Sequence, residues 1–209
     1  WTPAHRTSAP ASFLDRAIGR PNLTIASGVR VDRVLLDGDR AIGVVGHRNG
    51  AIERFACAGE VVLAAGALSS PAILERSGIG DPARLRAIGI EPRIISLRVG
   101  EGLIEHRVLA LQFRLRSVAD SNNRDLSGWR LWPHAPRYRL VGQGLLATGI
   151  HEVAAMVPTE GGERPDFRLM FAPFSTLRHA PRQVDDAPRL QLLMFGLRPM
   201  TAGSIHVAT

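Results

Sequence analysis

The chain has 209 residues, 45% hydrophobic and 22% charged, with a net charge of +7 and one cysteine, Cys57. That length suits one large domain or two small ones with a packed core, and excludes a disordered polymer. A lone cysteine excludes an internal disulfide and a cysteine-based metal cluster, and the seven histidines stand singly, so no metal is expected. All 26 basic residues are arginines, spread from Arg6 to Arg198. Nucleic-acid binders cluster such charge and interleave it with aromatics, so no nucleic-acid partner is expected. No apolar run reaches the ~18 residues of a membrane span. No signal peptide is visible behind Trp1, and a cytoplasmic location is the expectation.

In chain order, ASFLDRAIG (11–19) predicts a short helix closed by Gly19, and RPNLTI (20–25) a turn into a short strand. Three β runs follow: VRVDRVLL (29–36), AIGVVGH (41–47) and AIERFACA (51–58). Asp37-Gly38 and Asn49-Gly50 between them are strong hairpin signals, so a β-meander is predicted. Val61, Val62 and Leu63 form an apolar run without polar alternation, which predicts a core strand covered on both faces. Ala64, Ala65 and Gly66 then remove side-chain bulk. Ser70 predicts an N-cap, Pro71 the first helical position, and Gly78 a left-handed C-cap. A buried strand thus runs into a bulk-free turn that faces a helix N-terminus. In open α/β sheets such places bind ligands, phosphates especially. A plain strand–helix corner is the alternative.

Asp81-Pro82 predicts a second short helix ending at Gly89, and residues 91–107 are irregular. VLALQFRLR (108–116) alternates, with Leu109, Leu111, Phe113 and Leu115 on one side and Gln112, Arg114 and Arg116 on the other. That pattern predicts an antiparallel strand with its leucine side inward. Residues 117–128 read as a polar loop and 129–140 as partly helical. Strands are predicted at 151–157, 166–172 and 189–197, a long loop at 173–188, and a last strand from 203. The fold class is therefore α+β, mixed α/β, in two parts. GQGLLA (142–147) fits Gly-x-Gly-x-x-Ala, but a β-like run follows it instead of a helix, so it reads as a loop.

The stretch GALSSPAILERSGIG (66–80) resembles the second signature of the glucose–methanol–choline (GMC) oxidoreductases along its whole length, through Gly66, Ser70-Pro71, Ile73-Leu74 and Ser77 to Gly80. Its surroundings are similar in order and spacing: HRTSAPASFL (5–14), RPNLTI (20–25), LLDGDRAIGV (35–44), EVVLAAGAL (60–68), VGEGLIEH (99–106) and LRPMTAGSI (197–205). The resemblance implies a partial FAD-binding domain with a β-meander over 1–106. It further implies an antiparallel-sheet substrate-binding domain over 107–197 and the start of a return into the FAD domain over 198–209. The implied activity is oxidation of a small-molecule alcohol by hydride transfer to FAD, with the electron acceptor unassigned.

By the same resemblance, backbone groups of Val31 pair with the adenine edge, and Ala65, Gly66 and Ser70 back the dinucleotide. His106 lies near the flavin or serves as a structural histidine beside it. Glu152 points toward the substrate pocket or is a solvent-facing carboxylate. His134, His151, His179 and His206 carry no motif. The family's phosphate loop would precede Trp1 and its catalytic base would follow Thr209, so the stretch reads as a central fragment, inactive alone. Gly102 stands where the family usually has Asn, Leu97-Arg98 where it often has Pro-Gly, and Glu105 where it has Asp. Two other readings are a truncated non-enzymatic remnant without tight FAD binding and an arginine-rich binding module.

Overall fold

The computed structural model describes residues 8–159, 162–177 and 180–208. Residues 5–7 of the HRTSAPASFL stretch and His179 lie outside that set. The described residues form two compact units, 19–105 with 200–208, and 8–18 with 106–199.

In the first unit the predicted meander is formed by β1 (Arg30–Asp37), β2 (Arg40–Arg48) and β3 (Ala51–Ala56), antiparallel in that order. Asp37 pairs with Arg40 and Arg48 with Ala51, so both turns hold two residues. Asn49 and Gly50 take φ of +52° and +82°, as a type I′ hairpin requires. In β1 the register slips between Val31 and Arg33, which leaves Asp32 as a bulge. That bulge is an anchor. The Asp32 carbonyl accepts from Arg76 Nε at 2.8 Å, and its carboxylate holds Arg76 at 3.1 Å and Arg33 at 2.7 Å. Two residues on, the Val34 amide donates to Ser77 Oγ at 2.8 Å, and the same hydroxyl donates to the Ile73 carbonyl at 2.6 Å.

Arg76 and Ser77 end α1 (Gly66–Arg76), which starts four residues before the predicted cap. Gly66 has φ +86° and is the pivot on which the chain turns into the helix. Ala65 therefore occupies the N-cap position, and Ser70 becomes an inner brace whose Oγ accepts from the Ala65 amide at 3.1 Å. Pro71 falls inside the helix, where it can give no hydrogen bond to the Ala67 carbonyl. Gly78 follows at φ +82°, as expected of a left-handed cap. The predicted core strand before α1 is not formed. Residues 60–64 join no sheet, and Val62 is 77% exposed. An apolar run becomes a strand only where a neighbour supplies the ladder, and no described strand pairs with this one.

Ile79–Gly80 (β4) pairs in parallel with Ile94–Ile95 (β5), across α2 (Pro82–Ala87). Asp81 caps α2 as predicted, accepting from the amides of Ala83 at 2.7 Å and Arg84 at 3.2 Å. Glu101–Leu103 forms β6. The start of the chain differs from expectation: residues 11–19 give one π-helical turn, Pro10–Leu14, followed by turns, and 20–25 form no strand. Pro10 at the start and the small residues Ala9 and Ala11 offer little apolar face to bury, and no residue of that turn is buried.

The second unit is an antiparallel sheet of β7 (Val108–Arg114), β8 (Val153–Val157), β9 (Phe167–Ala172) and β12 (Arg189–Gly196), in the order β7-β12-β9-β8. The register sets Leu109, Leu111 and Phe113 opposite Met194, Leu192 and Leu190, so the alternation read from sequence does define one apolar face. That face is not turned inward: Leu109 is 56% and Phe113 48% exposed. Gln112, on the other side, is the one half-buried residue of β7, and its Nε2 donates to the Thr176 carbonyl at 2.9 Å. Periodicity says which residues share a face; packing partners decide which face is covered. The predicted long loop at 173–188 contains a hairpin of β10 (Thr176–Leu177) and β11 (Ala180–Val184). The helical stretch is α3 (His134–Val141), closed by Gly142, whose amide donates to Tyr138 O at 2.9 Å. GQGLLA thus leaves a helix instead of entering one, the opposite polarity to a phosphate loop. The final strand, β13 (Gly203–Ser204), pairs with β6 in the first unit.

Asn123 pins the second unit's loops and is fully buried. Its Oδ1 accepts from Ser121 Oγ at 2.8 Å and from the Ser175 amide at 3.1 Å, while Nδ2 donates to the carbonyls of Ser175 at 3.0 Å and Asp185 at 2.7 Å. All four hydrogen-bonding positions of the amide are used. Asn123→Ala is expected to destabilise this unit by roughly 2–4 kcal/mol, because buried partners are left unpaired. Denaturant unfolding checks this, together with faster amide exchange at Ser175 and Asp185.

Candidate cofactor site

The bulk-free corner opens onto a cleft of about 540 Å³ whose walls include Val31, Val44, Phe55, Val61, Leu63 and Ala65. Small-molecule and cofactor sites run from roughly 300 to 1,000 Å³. The cleft exists because two strands close up beneath it. Val31 lies opposite Gly46, where a side chain would meet the Arg30 carbonyl at 2.7 Å and the Val31 Cα at 3.1 Å. Gly43 meets the Phe55 backbone in the same way. Glycine within a strand marks such close backbone approach, and Gly43 and Gly46 both stand inside the β run AIGVVGH. Cys57 also lines the cleft and is spent locally, its thiol donating to the Glu60 carbonyl at 3.0 Å.

A second cleft, of about 530 Å³, lies on the other side of the start of α1. Ala67, Ser70 and Pro71 face it from the helix, and Arg98, Gly102 and Ile104 from the segment opposite. Of the residues singled out from the sequence, Val31 is half-buried on β1, Ala65 and Gly66 are exposed at the corner, and Ser70 is partly buried on α1. Gly102 takes φ +76°. That is the left-handed region, which Gly adopts freely and, among residues with side chains, Asn tolerates best.

His106 is exposed and belongs to the sheet unit, as does Glu152. Glu152 borders a pocket of about 100 Å³ with Leu126, Leu145, Ile150 and Phe174. Beside it, His151 titrates below 6.5, first through burial and second through the nearby charge of Arg168. The Nε of Arg168 is buried without a hydrogen-bond partner among the described residues. A lowered folded value means the unfolded chain binds the proton more readily. The stability is intact above 6.5 and declines as pH falls below it.

One cluster had no sequence signal. Glu75, 1% exposed on α1, holds His206 Nδ1 at 2.6 Å through Oε1 and accepts from the Val207 amide at 2.7 Å through Oε2. His206 Nε2 faces Glu101 Oε1 at 3.0 Å. The cluster ties the returning segment to α1 and β6. Among the described residues no group of His, Cys, Asp and Glu could hold a metal ion, and no helix is long and apolar enough to cross a membrane.

Comparison with known proteins places this architecture among the FAD-dependent oxidoreductases. Residues 3–108 match the GMC oxidoreductase family, and the chain belongs to that family. It is 30% identical over 210 residues to "Oxygen-dependent choline dehydrogenase 1" of Chromohalobacter salexigens, covering 98% of this chain and 36% of that protein. It is 33% identical over 212 residues to the "Oxygen-dependent choline dehydrogenase" of Pseudomonas aeruginosa, covering 99% of this chain and 37% of that protein. The chain thus spans a little over a third of the length of these relatives. A solved pyridoxine 4-oxidase from Mesorbium loti superposes with a TM-score of 0.70 at 26% identity, covering 95% of this chain and 35% of that one. A formate oxidase variant of Aspergillus oryzae gives 0.78 at 21% identity over 88% of this chain and 37% of that one, a likeness of fold.

Two outcomes are expected. His206→Ala removes one of the partners of the buried Glu75 carboxylate and should lower stability by about 1–3 kcal/mol. Glu75→Gln, which keeps an acceptor for Val207, should lower it less; denaturant unfolding of both variants checks the order. Arg168→Met should move the His151 titration, followed by NMR, upward but short of 6.5, because burial is the larger cause.

Proposed function

We propose that this chain supplies the adenine-side FAD contacts and the substrate-facing sheet of an enzyme that oxidises an alcohol by hydride transfer to flavin. The supporting observation is the cleft that reaches Val31 directly from the bulk-free corner at Ala64–Gly66. FAD, when bound, accepts the hydride. The chain's own part is to hold it, and this wall sets the small residues Gly43, Ala64 and Ala65 among the apolar side chains of Val31, Val44, Phe55 and Leu63, a surface on which a planar base can lie. The amide and carbonyl of Val31 take the adenine edge. Ala65, Gly66 and Ser70 keep the helix start free of bulk. On this reading residues 1–106 are the partial FAD-binding domain, 107–197 the substrate domain and 198–209 the return.

Glu152 is assigned to the substrate side: exposed itself, it is the one carboxylate bordering a small, mostly apolar pocket, where it could accept from or pair with a cationic group. Choline is such an alcohol, and the relatives above are named for it. No described histidine is assigned the alcohol's proton. His206 is engaged by two carboxylates, and His106 is exposed without a partner that would orient it. The base is expected outside these 209 residues, so flavin binding is the readout of choice.

Ala65→Phe places a ring in the cleft from an exposed position and should abolish flavin absorbance in the full-length protein while leaving its folding intact. Val31→Leu, which keeps the backbone groups, should retain flavin. Full flavin content in Ala65→Phe would overturn the assignment.

A further inference from the structure

At the other end of α1 the first unit carries a cleft of about 430 Å³ that flavin binding does not use. Its walls come from β1, β3, the end of α1 and the segment 90–93, and four arginines line it: Arg33, Arg54, Arg76 and Arg93. Glu91 is the one carboxylate in that lining. We infer that this cleft binds a small polyanion carrying phosphate or carboxylate groups.

The arrangement follows from the register. Arg33 and Arg54 flank the same residue, Val45, from β1 and β3, so both project from one face of the meander. At the usual strand spacing their backbones are about 10 Å apart, and two long side chains can close on one ligand. Asp32 neutralises part of the set, holding Arg33 at 2.7 Å and Arg76 at 3.1 Å. Arg93 reaches only the neutral Leu36 carbonyl, at 3.4 Å, and Arg54 makes no hydrogen bond or ion pair among the described residues. Two guanidinium charges are therefore uncompensated, and guanidinium does not shed its proton.

The opposing contributions are smaller. The end of α1 presents about half a negative charge, and its last carbonyls already accept from the amides of Ser77 and Gly78. Glu91 can offset one cation, not both. Guanidinium forks bind phosphate and carboxylate through paired hydrogen bonds, which sets the ligand class. No aromatic ring lines the cleft, so the stacking that single-stranded nucleic acid requires is missing.

The test is calorimetric titration of the protein with inorganic pyrophosphate and, separately, citrate, at low salt and at about 0.15 M. Saturable one-to-one binding of either is expected at both salt levels, and the tighter of the two tells phosphate from carboxylate. Arg54→Gln and Arg93→Gln should each weaken it about tenfold, the loss of one charge-assisted pair. Arg20→Gln, an exposed arginine outside the cleft with the same change in net charge, should leave it unchanged. Absent saturation, or equal weakening in Arg20→Gln, overturns the site. Tighter binding of a duplex oligonucleotide that depends on Arg54 and Arg93 overturns the small-ligand class. Flavin absorbance recorded in parallel should not change in these variants, which separates failure here from failure of the cofactor reading.

Discussion

The position of α1 depends on one joint. A bulge at Asp32 and a serine at the last turn of the helix lock together: Asp32 takes Arg76, and Ser77 takes the Val34 amide. Both contacts use groups that regular structure would leave over. The bulge frees a carbonyl from the ladder, and Val34 has a buried amide that needs a partner. With its C-terminal end fixed to the meander, the helix must begin about 16 Å away at 1.5 Å per residue. That length places Ala65 and Gly66 above Val31. The clefts at the two ends of α1 follow from the same joint, one lined by small and apolar residues, the other carrying four arginines.

Much of the local structure was legible because it rests on local chemistry. Asn49-Gly50 and Asp37-Gly38 specify two-residue turns, and Asp81-Pro82 specifies a helix start, within a few residues of chain. The failures share a cause as well. Val61, Val62 and Leu63 have the composition of a core strand, but a strand needs neighbours, and composition cannot supply them. Leu109, Leu111 and Phe113 do share a face, yet alternation is silent about what covers it. The cap predicted at Ser70 was displaced by Gly66, whose positive φ turns the chain earlier than a serine could.

The candidate site divides along the same line. The corner at 64–66 could be read because missing bulk is visible in a sequence. Gly43 and Gly46 were readable in principle, as glycines inside a strand. Glu75, Glu101 and His206 were not: Glu75 and His206 are 131 residues apart, and neither sits in a pattern that asks for the other. The arginine-lined cleft is of this second kind. In a chain with 26 arginines no single one is conspicuous, and only the shared register with Val45 brings Arg33 and Arg54 to one face.

The wall of the first cleft sets small residues such as Gly43 and Ala65 among apolar side chains. What it forbids is added volume, at positions such as Gly46 and at Gly100, where a side chain would strike the Ile205 carbonyl and the His206 ring. This reconciles two findings: a TM-score of 0.70 with 26% identity to the pyridoxine 4-oxidase. The constraint acts on where the backbone runs, and the joint at Asp32 and Ser77, two glycines beneath a cleft and a buried glutamate holding the returning segment are enough to direct it. Glu152 lies on the sheet unit, outside this backbone frame.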